Sequence, residues 1–465
     1  MNIRRLYRVA GLLLIGIFFI ITTGTALANP DVIVSTIGST VQKYGTVNNV
    51  TAYAVTTVSC NLGTSQAIWI QGTNQHPVIA QNLYRYKVVN GAGRMEMIGM
   101  AWLKHGFCAA DAPGPNCATC QNAGTCDWLG LGCTDTYGAG LNGSQGNLGP
   151  RSDVNAWTGA FNYPFPTQGQ TGNAIYKRLQ IRNDDLNPAL NPGAGYLCEV
   201  QYICTDEQPA QRYNNVSWRP MLVGAFVDGG YNLSFTGSTM VQQSAIQAWP
   251  SYEPGVTLVN VNIPGDGRMI LGYKVTEIVP GSLWHYEYAL YNMNSDRSAQ
   301  LVTVPAAGTA TISNIEFHDV DYHSGEPYSN ADWTASANED GVTWLTQSFA
   351  QNPNANALRW GSTYNFRFDC DRPPYPGTVK VGLFKPGSPA NMNVAALVPN
   401  PCVCPGDLTT NGTIDGQDIS NMVQMMLGAM SGSPCADLAS PYGTQPNTAD
   451  AEALVELLIG GALCP

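Results

Sequence analysis

Short runs of alternating apolar and polar residues, cut by turn residues roughly every 8–12 positions, constrain this chain more than any other feature. Thr51-Ala52-Tyr53-Ala54-Val55 and Gln66-Ala67-Ile68-Trp69-Ile70 are early examples, and Gly and Asn pairs separate such runs from Asp31 to about Val89. Alternation sends successive side chains to opposite faces, which suits a half-buried strand. The texture returns near Arg219. Met221–Val227 is a buried-type run, Thr257–Ile263 alternates cleanly, and Thr378–Phe384 closes the series. Arg268–Val279 and Leu283–Asn292 read as a hairpin joined at Pro280-Gly281. No helical pattern of about 10–15 residues alternates with these strands, which disfavours a parallel α/β sheet. The expected class is mainly β, with one or two antiparallel β-sandwich domains.

The chain has 465 residues, too many for one ordinary core. Charged residues make up 12%, against about 25% in an average soluble protein, while Gly (49) and Pro (30) are abundant. That balance suits a loop-rich exported protein. The net charge of −11 and the lack of a basic stripe argue against a nucleic-acid partner and suit divalent cations. Residues 1–28 read as a secretory signal peptide: Arg4, Arg5 and Arg8, an apolar run from Val9 to Ile21, then Ala26-Leu27-Ala28 for cleavage. Its removal would leave 19 basic against 33 acidic side chains, a charge of −14. No later stretch is long and apolar enough to span a bilayer. The protein is therefore expected to be secreted, extracellular or on the cell surface.

Export favours disulfides over free thiols. Nine cysteines lie in the body, and Cys402, Cys404, Cys435 and Cys464 lie in the tail. The odd body count predicts one thiol that is free, intermolecular or paired with the tail. Cys108, Cys117, Cys120, Cys126 and Cys133 fall in a Gly-, Asn- and Pro-rich excursion over 105–170 with little periodicity. Cys117-x-x-Cys120 invites a zinc or redox reading, but no second pair stands at zinc spacing, so disulfides are the reading adopted. The expected domains are 29–218 and 219–385, both β-rich. A linker follows over 386–401, where two prolines at each end flank small residues, then a small all-α calcium-binding module over 402–465.

The tail holds the most specific motif. Asp407 to Asp418 places oxygen-bearing side chains at positions 1, 3, 5, 9 and 12 of a twelve-residue loop. These are Asp407, Thr409, Asn411, Asp415 and Asp418, with Gly412 at the sharp turn and Thr413 offering its carbonyl. Calcium takes six to eight hard oxygens from such a loop. Ile419, Met422, Val423, Met426 and Leu427 then form one helical face. The pattern repeats: Asp437-Leu438, Gly443-Thr444 and Asp450 answer Asp407-Leu408, Gly412-Thr413 and Asp418, and Ala451, Leu454, Val455, Leu458 and Ile459 repeat the face. This duplication over about residues 402–465 resembles a type I dockerin. The resemblance implies calcium as cofactor, a small helical module, and a cohesin-like partner on a scaffold that gathers polysaccharide-degrading enzymes. Two departures stand out. The second loop is stretched, with Ala439 and Pro441 where ligands belong, and Gly416-Gln417 replaces the Ser or Thr that the family often uses for partner recognition.

In the body, His318 to Glu326 holds a second candidate metal set, Asp319, Asp321, His323 and Glu326, provided the segment is extended; the alternative is a polar turn. Trp284, Tyr286 and Tyr288 share one strand face, either sheet core or a sugar platform, with His285 and Glu287 opposite. No nucleophile elbow, zinc-protease helix motif or phosphate loop is present. Glu287, Glu316 and Glu326 are the carboxylates available for glycoside hydrolysis. From Asn74-Gln75-His76-Pro77 through Gly106 to the Trp284 strand and His318-Asp319, the body resembles an uncharacterised family of secreted bacterial proteins. The expected function is a non-catalytic binding or surface-structure body carrying a calcium-binding docking tail. The alternative is a polysaccharide-degrading enzyme, a hydrolase of O-glycosyl bonds, tethered by that tail.

Overall fold

The strand runs pair as two sheet systems that meet along a shared apolar seam. In the computed structural model, residues 29–106 and 108–461 are described; the expected signal peptide, 1–28, and Cys464 lie outside them. The first system is an eleven-stranded antiparallel sheet. Its main path runs Val32–Val47, Val50–Asn61, Leu179–Arg182, Ala92–Met100, Val78–Val89, Gly195–Ile203, Val216–Val227, Gly230–Phe235. The sheet curls until its first strand lies against its last two. Ser217 Oγ donates to Val34 O at 2.7 Å, and Arg219 Nη1 donates to Ile37 O at 2.7 Å. Val34, Ile37, Tyr53, Leu83, Val200 and Met221 fill the inside.

The second system has two five-stranded antiparallel sheets. One runs Thr257–Asn262, Arg268–Val279, Leu283–Asn292, Ser362–Cys370, Ile312–His318; the other runs Thr334–Asn338, Gly341–Leu345, Ala299–Val304, Pro374–Leu383, Asn391–Pro399. They face each other across one core that includes Leu271, Tyr286, Tyr288, Val302, Trp344 and Val381. The expected hairpin is present: Met269 pairs with Asn292 and Val279 with Leu283, and Gly281 takes φ +67° in the turn. Trp284, Tyr286 and Tyr288 all belong to this core, so the aromatic face is structural. A third cluster, with Tyr84, Met95, Met97, Trp249, Ile270 and Tyr291, joins the two systems into one body.

Two expected boundaries are corrected. The break at 218/219 falls inside Val216–Val227, which pairs with Gly195–Ile203 from Val216↔Gln201 to Met221↔Tyr196. The expected linker, 386–401, contains the strand Asn391–Pro399, paired along its length with Pro374–Leu383. Its residues Val394, Ala396 and Val398 alternate into the core. Proline is tolerated at the end of an edge strand, so its abundance here marked a sheet edge and not a flexible tether. The excursion is cross-linked as expected: Cys60–Cys117, Cys108–Cys126 and Cys120–Cys133. Three buried thiols remain, Cys198, Cys204 and Cys370, where one was expected. Cys198 and Cys370 lie on strands whose paired neighbours offer no second sulfur, Cys204 follows the end of Gly195–Ile203, and burial pushes the Cys198 thiol up from its ordinary value.

After Cys402 the described residues hold no strand. Two helices, Gly416–Met426 and Thr448–Gly460, pack through Met422, Met425 and Leu454. Cys402–Cys435 ties the start of this region to its middle. Among the described residues no helix is long and apolar enough to cross a membrane.

Candidate functional site

The loop from Asp407 to Asp418 is built around two buried carboxylates. Asp407 Oδ2 accepts from Gly412 N at 2.8 Å and Oδ1 from Asn411 N at 3.2 Å. Asp418 closes the loop: Oδ1 accepts from Leu408 N (2.7 Å) and Thr409 N (2.9 Å), and Oδ2 from Asp415 N (2.8 Å). Asp415 caps the following helix, Oδ1 accepting from Gln417 N at 2.7 Å. Gly412 takes φ +82°, a turn that only glycine makes without strain. Burial works to raise the Asp407 carboxyl, but the N–H groups of Gly412 and Asn411 and the Thr409 hydroxyl outweigh it and hold it below its ordinary value. These donors keep the Asp407 carboxylate ionised within the loop.

Side-chain oxygens of the loop hydrogen-bond to one another. Thr409 Oγ1 lies 3.3 Å from Asp407 Oδ1, and Thr413 Oγ1 lies 2.7 Å from Asn411 Oδ1 and 3.4 Å from Asp415 Oδ2. Among the described residues, the one trio of metal-type ligands gathered within 4.8 Å is elsewhere, at Asp111, Cys120 and Cys133. There the two sulfurs are bonded to each other, and Asp111 accepts from Ala123 N and Gly130 N, so the trio is a cross-linked turn. The carboxylates of the Asp407 loop therefore stand further apart.

The second loop repeats the frame. Asp450 Oδ1 accepts from Leu438 N and Ala439 N at 2.8 Å each, and Oδ2 from Asn447 N at 2.8 Å. Asp437 Oδ1 accepts from Gly443 N at 2.9 Å, and Asn447 caps its helix through Ala449 N. The middle of the loop differs. Tyr442 leaves it to meet Trp284 of the body edge-on, ring centroids 6.0 Å apart. Nearby, Asn400 Nδ2 donates to Pro434 O at 2.9 Å.

The helical faces also divide. Met422 and Leu454 are buried as the period predicts, but Ile419, Val423, Met426 and Leu427 are exposed, as are Val455 and Ile459. Leu427 is 77% exposed and Ile459, its counterpart in the repeat, 81%. A single-sided face was the expectation. Four of the five residues of the first stripe and two of the five of the second are exposed.

The second candidate set does not assemble. The segment after His318 is not a strand; Asp319, Asp321 and His323 line one cavity without Glu326, and each side chain already has a protein partner. Asp319 Oδ2 accepts from Asn356 Nδ2, Asp321 pairs with Arg182 at 2.7 Å, and Glu326 binds the N–H groups of Arg151 and Ser152. Both nitrogens of His323 are engaged, Nδ1 by Ser324 Oγ and Nε2 by Met100 O. The polar-turn reading describes this segment.

Two of the three glutamates do come together. Arg367 Nε binds Glu287 Oε2 at 2.7 Å, its Nη1 lies 3.3 Å from Glu316, and its Nη2 reaches Glu96 of the first sheet at 2.9 Å. Arg85 closes the chain onto Glu96 at 2.7 Å, and His285 bridges Glu287 and Asp369. Most of these are cross-strand neighbours: Glu287↔Arg367, His285↔Asp369, Glu316↔Arg367 and Arg85↔Glu96. Sequence reading missed this seam because partners far apart in the chain meet only through sheet register. Burial would raise Glu287, but Arg367 and His285 hold it below its ordinary value. Glu287, Arg367 and Glu96 thereby form an ion network that joins the two sheet systems. No protein-family model matches the chain, and no curated protein is significantly similar to it.

Proposed function

We propose that this is a secreted modular protein. A non-catalytic body binds a ligand or builds surface structure, and residues 402–465 form a dockerin-like docking module stabilised by calcium at its first loop. The supporting observation is the duplicated frame: Asp418 and Asp450 clamp their loops through equivalent backbone groups, while the first loop carries Thr409 and Asn411 where the second has Ala439 and Pro441. Calcium would be held by Asp407, Thr409, Asn411, the Thr413 carbonyl, Asp415 and Asp418, and would supply the positive charge that lets those oxygens approach one another. The paired exposed residues Val423 and Leu427, Val455 and Ile459 support a partner of cohesin type on the helices. The four disulfides among the described residues accord with an oxidising compartment.

Calcium titration of the chelator-treated protein, followed by circular dichroism and limited proteolysis, tests the reading. Calcium is expected to protect 402–461 from cleavage, and Asp407→Ala is expected to remove that protection. Equal cleavage with and without calcium would overturn it.

A further inference from the structure

The C-terminal region carries four cysteines, Cys402, Cys404, Cys435 and Cys464. Cys402 and Cys435 are bonded to each other. Cys404 is held in a disulfide as well. The rest of the chain leaves it one partner. Cys60, Cys108, Cys117, Cys120, Cys126 and Cys133 pair among themselves, and Cys198, Cys204 and Cys370 are buried free thiols. Of the 13 cysteines in the sequence, Cys464 remains.

The chain path brings the two within reach. The helix Thr448–Gly460 ends at Gly461, left-handed at φ +68°. The segment just after Cys404 packs on the last turns of that helix. A Cβ on Gly406 would stand 3.1 Å from Leu457 Cδ1 and 3.2 Å from Leu454 Cδ1. Gly406 N donates to Cys435 O at 2.9 Å, and Asp407 N to Cys404 O at 3.2 Å, which fixes this segment beside the first disulfide. Pro405 and Gly460, next in chain to Cys404 and to Gly461, line one cavity of about 500 Å3. Cys464 lies three residues beyond Gly461. Three extended residues span about 10 Å, and a disulfide adds a Cα–Cα separation of about 5.5 Å. That reach crosses a cavity of this size.

We propose that Cys404 and Cys464 form a disulfide that joins the two ends of the C-terminal region and locks it independently of calcium. Cys402–Cys435 encloses the first loop and its helix. Cys404–Cys464 encloses both loops and both helices in a ring of about 60 residues. In the chain-entropy view the longer ring removes more of the unfolded ensemble. Formation follows thiol–disulfide exchange with an oxidant that itself carries a disulfide. One cysteine thiolate attacks the oxidant and releases one thiol. The second cysteine then displaces the other, so two protons and two electrons pass to the oxidant, which leaves as two thiols. The proposal stands on the cysteines and not on the calcium loop.

The test maps the bond in the full chain made in an oxidising compartment. The chain is denatured without reductant, alkylated, and cut before aspartate. Alkylation is expected on Cys198, Cys204 and Cys370 and not on Cys464. The fragments 371–406, 418–436 and 450–465 are expected as one linked species that reductant separates. In Cys404→Ser, 450–465 should be released with Cys464 alkylated, while 371–406 and 418–436 stay joined. Alkylated Cys464 in the parent, or 450–465 joined to a body fragment or to a second chain, would overturn the bond. The lock is read by limited proteolysis of the Cys404→Ser, Cys464→Ser double variant. Cleavage within 402–461 is expected about a hundredfold faster than in the parent, both in chelator and in calcium. An unchanged rate would overturn the lock and leave the bond. A calcium loop that fails to bind its ion would alter neither the map nor the ratio in chelator.

Discussion

The two loops of the C-terminal region share a frame and differ in what they place on it. In each, an aspartate with no solvent exposure accepts three backbone N–H groups: Asp418 from Leu408, Thr409 and Asp415, and Asp450 from Leu438, Ala439 and Asn447. In each, the first aspartate accepts from the glycine of the turn. The first loop then carries Thr409 and Asn411, whereas the second carries Ala439 and Pro441 and sends Tyr442 to Trp284. The difference separates two jobs that sit on the same residues in a calcium loop. Clamping the backbone belongs to the fold, and lining the interior with oxygen belongs to the ion. A loop that gives up the second job is free to anchor the region to the body.

The sharpest way to break that comparison is at the clamps. Asp418→Ala and Asp450→Ala each leave three backbone N–H groups, most of them partly buried, without their acceptor, so each is expected to cost about 1–3 kcal/mol. Hydrogen exchange across 402–461 in chelator should show similar losses for both. A large loss in only one would end the equivalence of the frames. Next comes calcium itself. With free calcium at about a hundred times Kd, the first loop should gain about 2.7 kcal/mol. Asn411→Ala should remove that gain and Asp437→Ala should not, as measured by thermal melts with and without calcium.

A smaller effect concerns pH, where the loops run in opposite directions. Burial pushes Asp437 up to about 6, helped by the charge of Asp450 and opposed by the Gly443 N–H. Its fold binds a proton more tightly than the unfolded chain does. Its contribution is therefore complete below the ordinary carboxylate value and is lost as pH rises through about 6. Asp407 is held low, so its contribution is present above the ordinary value and is lost as pH falls through the folded value. In chelator, Asp437→Asn should leave the stability of the region nearly flat between pH 4 and 7, where the parent declines; a decline that persists in the variant would assign it to another group. The smallest effect is at the anchor. Tyr442→Ala removes an edge-on aromatic contact of about 0.5–1.5 kcal/mol. It should raise exchange near Asn400 and Cys402 without changing calcium affinity.

Legibility followed sequence distance. The Arg268–Asn292 hairpin, the aromatic face of Trp284, and the repeat in the tail are set by neighbours a few residues apart, and each was readable. The strand Asn391–Pro399 was read as a linker because its prolines and small residues look alike in a tether and in an edge strand; only pairing with Pro374–Leu383 distinguishes them. Asp319, Asp321 and His323 would share a face only on a strand, and the chain leaves the sheet at His318. Nothing within the segment announces that exit.

By itself the sequence determined that the chain is mainly antiparallel β, that its cysteine-rich stretch is cross-linked, and that oxygen donors stand at regular spacing between Asp407 and Asp418. These are local properties, fixed by side-chain period and by ligands within one turn of chain. The tertiary structure alone decided that Glu96 and Arg367, 271 residues apart, join two sheets, and that Pro405 and Gly460 line one cavity. It also decided that Tyr442 ties the tail to the body. The physical reason is register. A shift of one residue in strand pairing turns every side chain to the opposite face, so which distant groups meet is set by the pairing of whole strands and not by any short segment.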